Sequence, residues 1–397
     1  MPVDLAANPR EAAHAPRLDA ITGLRWWAAF AVFGFHMLVF APLVPAVDSV
    51  LRLGDYGVAF FFVLSGFVLT WSLKPGTLKS TFYWRRFARI YPLHFVTLLL
   101  AIPVFYSFTP DPADWWVKPV NIGILALSFV LLQGWSRDPV ILFSGNPAAW
   151  TLTVEAFFYA LHPFLAKALT PLSRRGALIA AGVVALVTIG IRIDILLDPS
   201  GWVAWLPLPI LRVNEFILGM CLAWACRQGW RLRLHPLVPT LAIAAVCATF
   251  VLTEHYMPGT RLFAIVATGL PAAMTILFGV LIVSTSTREM AGSARWMRWR
   301  PLVALGEWSF AFYLIHATVI YTALTIFGLQ PAGWQNLGWF AVLAVIAIAM
   351  AAALHLWLER PVESRLRVRE VEWRRRREAK RVAAAAPVVS APGEATL

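Results

Sequence analysis

Charge is scarce in this sequence. Asp, Glu, Lys and Arg make up 14% of its 397 residues, where a soluble domain carries about 25%. Hydrophobic residues reach 59%, above the roughly 45–50% of soluble chains. The pair of values excludes an ordinary soluble enzyme, and it equally excludes a generally disordered chain. Cysteine is rarer still. Cys221, Cys226 and Cys247 all lie in apolar stretches, so neither a disulfide framework nor a zinc site is expected, and no metal is required. The first 16 residues hold acids, Pro and Ala but no apolar core before a cleavage site, so no removable signal peptide is expected. Nor is there an internal repeat, or the paired Gly/Pro-broken spans of many transporters. Ser65 has no Gly-x-Ser-x-Gly elbow around it, which argues against a serine nucleophile.

What the chain has instead is aromatic and apolar. It carries 19 Trp and 26 Phe, residues that suit a bilayer and its interfaces. Apolar runs recur at 21–44, 56–73, 90–106, 150–168, 176–192, 204–226, 237–253, 262–285, 302–326 and 335–358. Each run is long enough to cross about 30 Å of hydrocarbon at 1.5 Å per residue. The run 120–134 is shorter and ambiguous. Charge resolves it. Segments 74–90, 167–175, 227–235, 287–300 and the tail after Leu358 are basic, whereas 45–55, 107–119, 193–203, 254–261 and 327–334 hold few Lys or Arg. The positive-inside rule puts the first set in the cytoplasm. A full crossing by 120–134 would invert every later basic segment. The expectation is therefore an all-α integral membrane bundle of about ten transmembrane helices with both termini cytoplasmic. Residues 120–149 would lie on or dip into the outer side, covered by protein or lining a cavity.

Residues 1–16 read as a disordered tail, 17–363 as the membrane domain, and 364–397 as a basic cytoplasmic helix with a disordered end. Residues 360–381 hold ten Lys or Arg and four Glu. A solvated helix near anionic headgroups accounts for that pattern, and nothing else in the chain supports nucleic-acid binding.

Ionisable groups inside spans are costly and mark candidate sites. Arg25 and His36 are eleven residues apart, so they share a helix face about 16 Å apart along the axis. Arg25 would lie at the cytoplasmic leaflet, where a snorkelling cation is the plain alternative, and His36 near the midplane. Glu155, in Trp150-Thr-Leu-Thr-Val-Glu155-Ala-Phe-Phe-Tyr159, would pair with His36 or a buried Arg, or accept a proton. Arg86 and Arg89 are three apart, so on a helix they could grip phosphate together, although a topology signal would need the same charges. Gly66 beside Ser65 would let two helices approach closely. Ser309, Tyr313 and His316 step along one face as a polar stripe, with interhelical hydrogen bonding as its plain reading. Arg212 and Glu215 would form a local ion pair.

In order along the chain, these blocks resemble the membrane acyltransferase family 3, bacterial O-acyltransferases of surface sugars and secreted metabolites. The matching pieces are Leu18 to Arg25 leading to Phe35-His36, Gly57 to Phe67, Arg85 to Pro92, Trp150 to Tyr159, Ser309 to His316, and Glu359-Arg360-Pro361. The resemblance implies about ten helices around an acyl-CoA site, with acetyl-CoA the commonest donor. It implies that His36 and Glu155 are catalytic, that Arg25, Arg86 and Arg89 hold the CoA, and that Trp150, Ser309, Tyr313 and His316 line the substrate path. Its acceptors are hydroxyls of carbohydrates, glycoconjugates or secondary metabolites. The opening Thr-Gly-Leu-Arg-Trp-Trp is similar to actinobacterial members, some of which acylate macrolides. Thr151 stands where the family usually has Ser, and the chain resembles the stand-alone form without a hydrolase-like domain. The competing expectation is a transporter or flippase of a lipid-linked or acylated sugar.

Overall fold

A computed structural model describes residues 16–385 apart from Pro75. The expected disordered segments before residue 16 and after residue 385 lie outside the described residues. The chain is almost wholly helical. Among the described residues one sheet joins two-residue strands in parallel, Tyr106–Ser107 with Lys118–Pro119. The long helices are α1 (Asp19–Met37), α2 (Gly57–Trp71), α3 (Lys79–Phe105), α4 (Trp150–Leu169), α5 (Arg174–Leu197), α6 (Val213–Arg227), α7 (Leu237–Tyr256), α8 (Arg261–Met290), α9 (Arg300–Phe327), α10 (Leu337–Leu354) and α11 (Arg360–Ala385).

Among the described residues, eight helical stretches are long and apolar enough to cross a membrane. Two further long helices, α1 and α4, fall outside those eight. They carry Arg25, His36 and Glu155. The protein is thus a multi-pass membrane protein. Burial grades its helices from the centre outward. The apolar windows of α9 and of the Leu208–Arg227 stretch are 72% and 67% buried, whereas those of α5 and α7 are 17% and 11%. The first pair is central, and the second presents its Leu, Ile and Val outward, as lipid contact requires.

Several boundaries differ from the sequence expectation, and proline explains the first of them. The first span ends at Met37 rather than 44. Pro42 and Pro45 cannot continue a helix, and Asp48 accepts a hydrogen bond from the Leu43 amide (2.9 Å) to close the turn. His36 consequently sits in the final turn of α1 rather than mid-span. The third span begins at Lys79, eleven residues early, so Arg85, Arg86 and Arg89 are helical. The 204–226 run breaks at Arg212 between Leu208–Leu211 and α6. Between α10 and α11 the chain passes through a π-turn, His355–Glu359.

Two close crossings organise the centre. Helices α2 and α6 meet at Gly66 and Gly219. A Cβ at Gly66 would lie 2.0 Å from the Phe216 carbonyl oxygen, and one at Gly219 would lie 1.9 Å from that of Val63. Helices α1 and α9 run side by side in the same direction from Gly306, where a Cβ would lie 1.9 Å from the Thr22 oxygen. Trp26 and Phe33 of α1 then pack on Phe312 of α9 with ring centroids 5.0 and 5.6 Å apart. Glu289 fixes the start of α1 by accepting from the Asp19 and Ala20 amides at 2.7 and 3.0 Å. A carboxylate at a helix N-terminus satisfies both orphan donors and the dipole.

Residues 120–149 form short pieces, the longest being Ile122–Phe129. At eight residues this helix reaches about 12 Å, too short to cross. Only Leu125 and Ser128 of this helix are buried, but polar side chains further along the segment are covered. Gln133, Ser144 and Asn146 are fully buried, Ser128 and Ser144 hydroxyls meet at 2.6 Å, and the Tyr106 hydroxyl accepts from the Gly145 amide at 2.7 Å.

The basic C-terminal helix α11 is not simply a solvated arm. Its first half docks on α3. Glu370 is buried and accepts from the Thr81 hydroxyl at 2.8 Å, and the Trp84 indole donates to the Leu366 carbonyl at 2.9 Å.

Candidate functional site

The central cavity is bounded by α1, α2, α3, α4 and α9 and has a volume of about 230 Å³. Arg25, Arg86, Arg89, Glu155, Ser309 and Tyr313 all line it. Six of the nine site residues named from sequence thus converge on one space, from four helices. The remaining wall is largely apolar, from Val58 and Phe61 to Ile90 and Phe310. That leaves a greasy passage with a charged end, the usual make-up of a pocket that orients a ligand through few polar groups.

The three arginines are held differently. Arg89 is committed. Its Nη1 lies 2.8 Å from Glu359 and 3.1 Å from Glu363. Arg86 packs its guanidinium against the rings of Phe82 and Tyr159, 5.9 and 6.0 Å from their centroids. Its buried Nε has no hydrogen-bond partner. Among the described residues, neither Arg86 nor Arg25 forms an ion pair. Half-buried cations in a largely apolar wall, with Glu155 facing them but not in ion-pair contact, are costly, and an anionic ligand would lower that cost. Glu155 faces the same space, and its Oε2 accepts from the Tyr159 hydroxyl at 3.0 Å, one turn along α4.

His36 stands apart from this cavity wall, and its partner is not Glu155. Among the described residues no hydrogen bond joins the two. His36 Nδ1 lies 2.9 Å from the Val32 carbonyl oxygen and 3.2 Å from Nε2 of His316. His316 Nδ1 in turn lies 2.7 Å from the Tyr313 carbonyl oxygen. Carbonyl oxygens only accept, so the network assigns the protons. His316 carries its proton on Nδ1 and presents a lone pair at Nε2. His36 carries its proton on Nδ1, facing two acceptors. Its Nε2 is therefore the unprotonated nitrogen of the neutral ring, the form that can take a proton or attack.

The covered loop and the polar stripe hold this pair in place. Fully buried Asn146 donates to the Leu314 carbonyl at 2.6 Å, two residues before His316. The Tyr313 hydroxyl donates to the Ala148 carbonyl at 3.3 Å. Its ring lines the cavity and lies 5.7 Å from that of His316 between centroids. Ser309 donates to the Gly306 carbonyl at 2.8 Å. Trp150 does not line the cavity. It packs edge-on to Phe62, 6.4 Å between centroids. Thr151, the departure from the usual Ser, lines the cavity and donates to the Ala148 carbonyl at 3.0 Å. Arg212 and Glu215 form the expected local pair at 2.9 Å. Sequence reading placed His316 on the polar stripe but did not single out Asn146 and gave no sign of either residue's partner, because both contacts join residues more than 160 positions apart.

A family model described as an acyltransferase domain matches residues 18–356, most of the chain. The chain belongs to this acyltransferase family. Its relatives include acyltransferase MdmB of Streptomyces mycarofaciens, 33% identical over 375 residues, which cover 87% of this chain and 91% of that protein. Peptidoglycan O-acetyltransferase OatA of Listeria monocytogenes is 24% identical over 380 residues, covering 87% of this chain and 56% of OatA. Nodulation protein 10 of Rhizobium leguminosarum bv. viciae is 24% identical over 337 residues, 77% of this chain and 81% of that one. This chain spans little more than half the length of OatA. No solved structure matches it. The protein is a membrane-embedded enzyme that transfers acyl groups to a hydroxyl.

Proposed function

We propose that this acyltransferase moves a short acyl group, acetyl first among candidates, from acyl-CoA to a hydroxyl of a carbohydrate, glycoconjugate or secondary metabolite such as a macrolide. The observation that carries the reading is the pair of cations without an ion pair among the described residues, Arg25 and Arg86, in the wall of a cavity also lined by Tyr313, whose ring neighbours His316 of the histidine pair. The domain runs over 17–363, with α11 and the tail appended. It crosses the bacterial cytoplasmic membrane about ten times, α1 and α4 completing the eight apolar stretches, with both termini in the cytoplasm. The arginine end then opens to the cytoplasm, where acyl-CoA is made.

Arg25 and Arg86 bind the CoA phosphates through charge-assisted hydrogen bonds, with Arg89 held beside them. A volume of 230 Å³ is below the roughly 300–1,000 Å³ of pockets that enclose a drug-sized ligand. It suits the acyl-pantetheine arm, while the nucleotide stays at the mouth. The arm extends past Ser309 and Tyr313 to His36, about 16 Å from Arg25 along α1. His36 Nε2 takes the acceptor hydroxyl proton as that oxygen attacks the thioester carbonyl. The carbon–sulfur bond breaks, and His36 returns the proton to the departing thiolate, leaving ester and free CoA. His316 Nε2 accepts from Nδ1–H of His36 and steadies the imidazolium between the two proton transfers. Glu155 acts in the cavity as counter-charge to the arginines.

The deciding experiment incubates purified protein in detergent with a panel of acyl-CoAs and follows free thiol. His36-dependent thiol release is expected. Failure to bind any acyl-CoA would overturn the reading in favour of a transporter.

A further inference from the structure

Glu359 opens the Glu-Arg-Pro block near the end of the family match, and the mechanism above gives it no task. Its carboxylate is 3% exposed, and an isolated buried carboxylate is costly unless it is used. It closes the π-turn His355–Glu359, the kind of local insertion that recurs at functional sites because it re-aims side chains. One oxygen, Oε2, lies 2.9 Å from His355 Nδ1. The other, Oε1, lies 2.8 Å from Arg89 Nη1, outside hydrogen-bonding geometry, so this contact is an ion pair rather than a directed bond. The same Nη1 donates to Glu363 Oε2 at 3.1 Å. Glu363 also pairs with Arg367. A line of alternating charge thus runs from the π-turn to the wall of the central cavity, and Arg89 is its terminus there.

We infer that Glu359 is a positioning residue for the donor site: anchored by His355, it fixes the Arg89 guanidinium in the cavity wall before the donor arrives. An arginine has a long, many-rotamer side chain. Holding it in advance removes its ordering from the cost of binding. The effect belongs in donor affinity, not in the chemical step. The inference rests on the assignment of the arginine end as the donor site.

The test is a double-mutant cycle on the full-length protein in detergent, with steady-state kinetics in acetyl-CoA. Glu359→Gln keeps the shape and removes the charge. It is expected to raise KM for acetyl-CoA about tenfold, as loss of one charged contact does, while kcat changes by less than about threefold. Arg89→Ala is expected to raise KM by at least as much. In the Arg89→Ala background, Glu359→Gln is expected to add nothing, because coupled residues are non-additive. If Glu359→Gln still raises KM in that background by its full factor, Glu359 supports the fold and the inference is overturned. If Arg89→Ala leaves KM unchanged, the donor-site assignment itself fails, and this inference falls with it. Should Glu359→Gln not accumulate as folded protein, His355→Gln removes the anchor of the same carboxylate and carries the same cycle.

Discussion

His36 and His316 meet ring to ring, Nδ1 to Nε2 at 3.2 Å, although 280 residues separate them. The contact follows from two helices running side by side from the Gly306 crossing. It leaves His36 with its Nε2 lone pair available, and this is the arrangement a general base needs.

Replacing His36 by Ala is expected to lower kcat by about 10²–10⁴, the range for losing a general base, with normal expression. Replacing His316 by Phe is expected to lower kcat less, by about 10–100-fold, since it removes only the orienting acceptor. Thiol release by the two purified variants measures this. Equal, near-wild-type rates in both would remove the dyad from the mechanism.

Arg25→Ala and Arg86→Ala are each expected to raise KM for the acyl-CoA donor about tenfold or more, a charge-assisted contact being worth roughly 1.5–3 kcal/mol. Raising the salt should weaken wild-type donor binding but affect the double variant little. Titration with acetyl-CoA at low and high ionic strength checks both points. An unchanged KM in both variants would exclude a phosphate role.

Asn146 is a structural prediction with a kinetic signature. Removing its side chain takes away the second donor to the Leu314 carbonyl, which lies inside α9 and keeps its helical bond, and also the acceptor that caps the Ala148 amide, at about 0.5–1.5 kcal/mol per hydrogen bond. Asn146→Ala should therefore lower the thermal midpoint and, because Leu314 lies within a turn of His316, lower kcat as well. Calorimetry and thiol release on the same preparation measure the two effects. A stability loss with wild-type kcat would separate the loop from the dyad.

Gly66→Val is expected to be among the most damaging single changes. A Cβ there already stands 2.0 Å from the Phe216 carbonyl oxygen, so α2 and α6 must separate. Overpacking costs about 1–3 kcal/mol and more when backbone has to move. Gly182→Ala on exposed α5, where nothing lies within 4 Å of an added Cβ, should be neutral. Monodisperse yield in detergent compares them.

Lys118 makes stability depend on alkaline pH. It lies in the loop after α3 and donates to the Phe143 carbonyl at 2.7 Å. Burial pushes its ammonium down to about 8, against the opposing pull of Asp138. Its unfolded value is about 10.4, so between those limits the unfolded chain binds more protons than the folded one. Stability contributed by this group therefore rises with pH from about 8 to about 10. Lys118→Met should flatten that rise in a thermal-unfolding series across the window. A wild-type slope in the variant would exclude Lys118 as its source.

The sequence by itself determined the solvent of this protein and the elements that cross it. Scarce charge and long apolar runs leave no soluble alternative, and a helix must satisfy its own backbone in lipid. The candidate site residues were legible for the same reason, since Arg25, His36, Arg86 and Glu155 stand out against an apolar background. Their partners were not. The match of Arg89 to Glu359, and of His36 to His316 rather than Glu155, depends on which helix faces lie together. Interhelical glycines and a buried loop settle that, and they have no local periodicity to read. The docking of α11 was hidden likewise, because ten basic residues look the same on a solvated helix as on one that buries a single Glu370 against Thr81. Tertiary structure alone decided these pairings, because a contact across hundreds of residues depends on how helices pack, and composition carries no record of that.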